Sequence, residues 1–300
     1  MSSSDKTVAF IGCGNMGSAI LHGVLNAAFS NTPTTSDDSS RRPVSRFIAC
    51  TKTAPSAERL KASLPAEQQP HVEVTSSQAV PLEIMKRSDV IVLGFKPFMA
   101  EDVLGTKGVR EVLAGKLVIS LLAGQTPQDL TRMIRESTDG SFEDPVVIKV
   151  IPNMGAQFGE SMTIIETPET PISKEKTEIV DWMFNQVGTI KYLPASQMDL
   201  GSVLVGAALA AMTVPIEGIL DGCVAEGLKR PDAMELTLQG LRGLSAALES
   251  GIHPAALRES ISSPRGCTIQ ALLALERAGS RADYADAIIQ GTKHLKTMNK

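Results

Sequence analysis

Three closely spaced glycines, Gly12, Gly14 and Gly17, carry the clearest chemistry in this 300-residue sequence. They lie in the stretch KTVAFIGCGNMG. There an apolar run (Val8, Ala9, Phe10, Ile11) ends in Gly12-Cys13-Gly14-Asn15-Met16-Gly17, and a helical pattern (Ala19, Ile20, Leu21, Val24, Leu25) follows at once. Strand, glycine turn and helix form the context in which G-x-G-x-x-G holds the pyrophosphate of a dinucleotide. Gly12 permits the tight turn, Gly14 lets the backbone approach the pyrophosphate, and Gly17 lets the helix pack closely on the strand. The N–H groups at the helix start, around Cys13, Asn15 and Met16, then face the phosphates. The competing explanation is a tight turn that binds nothing.

The next chemical position is the end of the second strand. Residues 46–50 (RFIAC) read as that strand, and Thr51-Lys52-Thr53 follow it. An NAD site usually carries Asp or Glu here to accept hydrogen bonds from the ribose 2′-OH. This segment has no acid, and a lysine between hydroxyls suits a 2′-phosphate. NADPH is therefore the expected cofactor, with NADH as the alternative. The other explanation for Lys52 is an ordinary solvated side chain.

The elements that position these residues follow from the hydrophobic pattern. Residues 90–95, 117–122, 146–151, 162–165 and 188–193 are strand candidates, joined by 46–50 and 71–74. Helical patterns lie between them at 81–87, 98–104, 127–135 and 173–186. Apolar strands alternating with helices indicate a parallel sheet covered on both faces. Residues 30–43, small, polar and Pro-containing, read as an exposed loop between the first helix and the second strand. After Pro194 the pattern becomes helical throughout, at 196–227, 231–250, 254–260, 266–278 and 281–296. The fold class is α/β: a doubly wound Rossmann-type domain over residues 1–193, then an all-helical dimerisation and substrate domain over 194–300. The first long helix is apolar on almost all sides, with charge only at Asp199, Glu217, Asp221 and Glu226. Such a helix must be covered, which points to an obligate homodimer.

Bulk properties narrow the classes. The net charge of −4 gives no attraction to nucleic acid or a membrane surface. No apolar run is read as long enough to span a bilayer. MSSSDK at the start has neither a signal core nor an arginine-rich amphipathic pattern. Cys13, Cys50, Cys223 and Cys267 are widely separated, as are His22, His71, His253 and His294, so neither a disulfide framework nor a metal site is expected. A cytoplasmic location is the default for such a chain.

With these motifs in view, nearly the whole chain resembles the pyrroline-5-carboxylate reductase family. The opening FIGCGNMGSAI matches the family's start. Gly94-Phe95-Lys96-Pro97 resembles its Val-Lys-Pro after the fourth strand, Leu122-Ala123-Gly124 its Ala-Gly after the fifth, and Ile151-Pro152-Asn153 its Met-Pro-Asn. His253-Pro254 and Ser263-Pro264-Arg265-Gly266-Cys267-Thr268 resemble its His-Pro and its Ser-Pro-Gly-Gly-Thr-Thr loop. Leu275-Glu276, Gly279 and Arg281 follow as its Leu-Glu, Gly and Arg. The resemblance implies a Rossmann domain, a helical domain interlocked with its partner, dimers that assemble into rings of five, and reduction of a cyclic imine acid to proline.

It also implies roles. The N–H groups of the loop from Ser263 through Arg265, Gly266 and Cys267 would grip the substrate carboxylate. Thr268 would lie near the imine nitrogen, donating to it or ordering a water. A hydroxyl is a poor general acid, so positioning is its expected part. Helix capping is the other explanation for Ser263 and Thr268. Phe95, Lys96 and Pro97 end a strand at the carboxyl edge of the sheet and would shape the nicotinamide-ribose pocket through backbone contacts. Ala123 and Gly124 would approach the nicotinamide. Asn153 either bonds cofactor or substrate, or ties down its own turn.

The departures cluster away from the phosphate turn. The family's Ser-Gly-Ser-Gly-Pro-Ala is here Val205-Gly206-Ala207-Ala208-Leu209-Ala210, and its Pro-Asn-Thr-Pro is Pro152-Asn153-Met154-Gly155. Arg265 replaces a glycine, where it either pairs with a carboxylate or points to solvent, and Cys267 replaces Thr or Ala. Hydroxyls are lost and a cation is gained. That leaves a second enzyme reading, reduction of a six-membered or specialised cyclic imine, and a third, a non-catalytic nucleotide-binding protein.

Overall fold

The computed structural model describes residues 6–29, 43–138 and 140–298. Most of the polar 30–43 segment, residues 30–42, and the opening residues 1–5 lie outside the described residues.

The chain forms two compact units. Residues 1–206 with 295–300 make the first and 207–294 the second. The first holds β1 (Thr7–Ile11), α1 (Asn15–Phe29), β2 (Arg46–Thr51), α2 (Ala54–Ser63), β3 (Val72–Ser76), α3 (Leu82–Lys86), β4 (Val90–Leu93), α4 (Ala100–Leu104), α5 (Val109–Leu113), β5 (Leu117–Ser120), α6 (Pro127–Glu136), β6 (Val146–Ile151), β7 (Ser161–Glu166), α7 (Lys174–Asn185), β8 (Gly188–Leu193) and α8 (Ala195–Ser202). The strands form one sheet in the order β3-β2-β1-β4-β5-β6-β7-β8. The order reverses between β1 and β4, whose last residues Ile11 and Leu93 are register partners. In such sheets ligands bind at that switch point, beyond the strands' carboxyl ends.

Alternation along the strands fills two apolar layers. Val8, Phe10, Phe47, Val92 and Ile119 face Ile20, Val24, Ile179 and Phe184 of α1 and α7. Ala9, Ile11, Ile91, Leu93 and Val118 face Met85, Leu104, Leu113, Leu130 and Ile134 of α3 to α6. A sheet buried on both faces needs apolar residues at every position, which explains the unbroken runs AFI, VIVL and LVIS.

The expected all-parallel sheet needs correction at one strand. β7 runs antiparallel to β6, with Val150 opposite Ile165 and Ile151 opposite Ile164. Only residues 152–160, with a 3-10 turn at Met154–Phe158, connect the two strands, too little chain for the crossover that a parallel neighbour requires. Two helices were also not anticipated, α2 and the short α5.

The second unit contains α9 (Ala208–Ala225), α10 (Arg230–Glu249), α11 (Pro254–Ser260), α12 (Cys267–Arg277) and most of α13 (Ser280–Met298). The units divide after Gly206, beyond the 193/194 division drawn from the helical pattern. Met198 and Val205 pack with Ile151 and Ile164 of the sheet unit, which draws α8 into it. A π turn at Val203–Ala207 links α8 to α9, making a 31-residue helical run, Ala195–Ala225, with a mean hydropathy of 2.0 over its most apolar stretch. By length and composition this run is long enough to cross a bilayer, contrary to the expectation that none was. Among the described residues of 207–294, only Leu220 and Ala233 are fully buried.

Candidate active site

The glycine turn is built by backbone hydrogen bonds across the switch point. Gly12 has φ +85°, and a Cβ there would stand 2.6 Å from the Phe95 nitrogen. Only glycine satisfies both conditions. The N–H groups of Gly12 and Cys13 both donate to the Cys50 carbonyl, at 2.9 and 3.0 Å, and that of Gly14 donates to Gly12 at 2.8 Å. The first helical bond of α1 runs from Ser18 to the Gly14 carbonyl. The N–H groups of Asn15, Met16 and Gly17 are left with no partner among the described residues. These three are the donors at the positive end of a 15-residue helix.

The glycines divide by purpose. A Cβ on Gly14 would meet nothing within 4 Å. The protein itself does not require glycine there, at the residue just before the three open donors. A Cβ on Gly17 would make ordinary contacts at 3.6 Å with Gly12 O and Cys13 Sγ, so the close helix–strand packing expected of Gly17 does not demand a glycine. Cys13 turns inward: it is buried, and burial pushes its thiol up to about 12, against a weaker lowering by the Ser18 hydroxyl.

At the end of β2, Thr51 is buried and its hydroxyl donates to the carbonyls of Thr53 and Thr75, at 3.0 and 3.4 Å. Lys52 and Thr53 are exposed. Thr53 caps α2, accepting from the Ser56 N–H, and its hydroxyl donates to Ser56 Oγ at 2.9 Å. Arg59 Nη2 donates to the same Oγ at 3.2 Å. One helical turn thus folds Arg59 back onto the start of its own helix. Ser56 and Arg59 were missed from sequence; the available signal was Thr53 followed by Pro55, a capping pattern.

The neighbouring strand ends complete this edge. The Gly94 N–H donates to the Ile11 carbonyl at 2.9 Å, and a Cβ on Gly94 would press on Gly12 O at 2.8 Å. Phe95 is half-buried against the α3–α6 layer, so its backbone, not its ring, faces the turn. Lys96 is exposed, and Pro97 opens the turn that precedes α4. Residues 122–125 make a β-turn, Gln125 N–H to Leu122 O at 3.3 Å, with Gly124 at φ +83° and Ala123 exposed. Asn153 is buried and ties down its own turn: its Oδ1 accepts from Gly155 N–H at 2.9 Å. Its amide NH₂ has no partner among the described residues.

In the helical unit, Ser263-Pro264-Arg265-Gly266 form a turn closed by Gly266 N–H to Ser263 O at 3.0 Å. Proline at the second position and a positive φ at the third define a type II turn, whose third position favours glycine. Arg265 occupies it at φ +62°, the one non-glycine residue with positive φ among those described. Gly266 is the N-cap of α12 and no side chain caps that helix. The hydroxyls of Ser263 and Thr268 bond to no described residue, which excludes capping as their purpose. The N–H groups of Cys267, Thr268 and Ile269 are likewise unspent. Cys267 is exposed. His253 does cap: Nδ1 accepts from Ala255 N–H at 3.2 Å, opening α11.

Residues 195–298 match the family model described as pyrroline-5-carboxylate reductase dimerisation, and residues 7–124 the one described as NADP oxidoreductase, coenzyme F420-dependent. A pyrroline-5-carboxylate reductase of Lophium arboricola is 36% identical over 298 residues, covering 96% of this chain and 92% of that one. The chain belongs to the pyrroline-5-carboxylate reductase family. The Neurospora crassa pyrroline-5-carboxylate reductase is 34% identical, covering 97% and 92% of the two chains. The crystal structure of Plasmodium falciparum pyrroline carboxylate reductase with NADP bound has the same fold, with a TM-score of 0.75 at 23% identity over the full length of both. Within the family's serine-rich run, the first departure has a packing reason. Val205 is buried with Ile151, Ile164 and Met198, where a hydroxyl would lack a partner, whereas Ala207 is exposed.

Proposed function

We propose that this chain reduces the C=N bond of 1-pyrroline-5-carboxylate with NADPH, giving L-proline. The observation that carries the cofactor assignment is the open space at Gly14 together with the unspent N–H groups of Asn15, Met16 and Gly17 that follow it. Those donors take the pyrophosphate. Lys52, Thr53, Ser56 and Arg59 fit a 2′-phosphate, with two cations and two hydroxyls at a helix start and no acid among residues 51–57. Thr51 and Cys13 support these positions from inside. The backbone of Phe95, Lys96 and Pro97 and the turn at Ala123 and Gly124 flank the nicotinamide ribose and ring, and the Asn153 amide is a further donor at this edge.

Bound NADPH supplies the hydride. The unspent N–H groups of Cys267, Thr268 and Ile269, with Ser263, hold the substrate carboxylate, as an anion at a helix start requires. Arg265 adds a cation to that loop. Thr268 donates to the imine nitrogen, which must be hydrogen-bonded or protonated to accept hydride. Its hydroxyl orients the ring, and the proton itself comes from solvent. The exposed apolar helices of residues 207–294 are covered by a second copy of the chain, consistent with the dimerisation family model, and the dimers build larger rings. A soluble cytoplasmic enzyme follows from this reading.

The test is NADPH oxidation by purified protein with 1-pyrroline-5-carboxylate and with its six-membered homologue. Faster turnover of the five-membered ring is expected. Turnover of the six-membered ring alone would move the assignment to the second reading, which the lost hydroxyls of the family's serine-rich run support. Reduction of neither, with NADPH still bound, would refute both.

A further inference from the structure

A cavity of about 450 Å³ lies in the sheet unit, away from the glycine turn, between α6, β6 and the segment that joins β7 to α7. That volume is within the range of small-ligand pockets. Two of its lining residues are charged and almost fully buried. Lys149, in the middle of β6, is 3% exposed, and Glu166, the last residue of β7, is 7% exposed. Antiparallel register with Val150 opposite Ile165 brings them side by side across the strands. Yet neither side chain makes a hydrogen bond or an ion pair with any described residue, each other included.

Several of the other polar groups around the cavity are engaged, while Gln128, Glu169 and Thr170 on its lining are exposed. Arg135 is bidentate on Asp144, with Nε at 3.0 Å from both oxygens. Lys176 Nζ donates to the Gly115 carbonyl at 2.8 Å, and the Thr131 hydroxyl donates to Pro127 O at 2.7 Å. Ser173 caps α7. Lys149 and Glu166 are thus the two almost fully buried charges on the lining that no hydrogen bond or ion pair holds. Buried charges are normally paired, because burial strips away their hydration; here the two charged groups keep access through the cavity. Here burial raises the Glu166 carboxyl above its ordinary range, Lys149 opposes the rise, and Glu169 and Asp199 add to it. An anion alone would satisfy Lys149 and worsen Glu166. A cation alone would do the reverse. One small molecule bearing both charges satisfies both.

We propose that this cavity binds a small α-amino acid as its zwitterion, the carboxylate on Lys149 and the ammonium on Glu166. Its lining shares no residue with the nucleotide and imine machinery, and the inference does not depend on the reductase reading. The experiment is calorimetric titration of the full chain with L-alanine, which is neither a cyclic imine nor a product of its reduction. Propionate and ethylamine, each carrying one of the two charges, are the controls. Saturable binding of alanine is expected, with each control at least about tenfold weaker. Lys149→Met and Glu166→Gln should each weaken alanine by about tenfold or more while leaving NADPH binding unchanged. Absence of saturable alanine binding, or propionate or ethylamine binding as tightly as alanine, would overturn the proposal. Unchanged alanine affinity in the variants would do so as well. If a variant melts too early to titrate, the comparison of the three ligands on the unmodified protein still decides.

Discussion

Gly12 and Gly14 belong to one motif, but the structure separates what each is for, and alanine at each position tests the separation. At Gly12 a Cβ must accept a left-handed φ of +85° and stand 2.6 Å from the backbone nitrogen of Phe95. The φ costs about 1–2 kcal/mol and the crowding about 1–3 more, because the obstacle is backbone and cannot rotate away. Gly12→Ala should therefore lower stability by about 2–5 kcal/mol. At Gly14 the same Cβ meets nothing within 4 Å and φ is ordinary, so Gly14→Ala should leave stability within about 0.5 kcal/mol. Its effect falls on the ligand. Moving a pyrophosphate off two charge-assisted N–H bonds costs about 3–6 kcal/mol, a Kd for NADPH raised by at least about a hundredfold. Scanning calorimetry gives the first quantity and NADPH fluorescence titration the second. The reasoning fails if Gly14→Ala melts as early as Gly12→Ala, or if it binds NADPH like the unmodified protein.

Arg59→Ala should raise the Kd for NADPH by about tenfold and leave that for NADH unchanged, as paired titrations would show; an equal loss for both would remove Arg59 from the 2′-phosphate site. Thr268→Ala should lower kcat by about tenfold or more with NADPH affinity intact; full turnover in a steady-state assay would leave the hydroxyl without a role. Arg265→Gly should relieve the left-handed turn and stabilise the protein by about 0.5–1 kcal/mol, since glycine returns part of the gain as chain entropy. The same substitution should raise KM for the imine acid if the guanidinium faces the carboxylate. At neutral pH an alkylating reagent should modify exposed Cys267 well before Cys13, whose thiol is held near 12 by burial; peptide mapping that found Cys13 first would contradict the buried turn.

The glycine turn was legible because its constraints act on residue type. A left-handed φ and a backbone in contact leave few choices at Gly12. The strands were legible because a sheet buried on both faces writes continuous apolar runs, as in Val90–Leu93. Strand direction is not written in side-chain periodicity, so β7 was placed but not oriented; only the shortness of residues 152–160 carries that information. α2 escaped because its ten residues bury only Ala57 and Leu60, which leaves almost no apolar stripe. Arg59 escaped with it, since it reaches the candidate site only when that helix forms. The fates of the Ser263 and Thr268 hydroxyls were not legible either. Capping and ligand binding use the same residue types before a helix, and the choice depends on which atom occupies the N-cap position, here the backbone of Gly266.

The sparse burial in residues 207–294 makes the protein's stability a matter of concentration. Leu220 and Ala233 are the only buried positions described there, so in the proposed dimer most of the free energy that keeps these helices folded would come from a second chain. By mass action, dilution then acts as a denaturant, and the melting temperature rises with the logarithm of the protein concentration. In a cell making two versions of this chain, a damaged copy would be rescued or would spread its defect, depending on which partner it met.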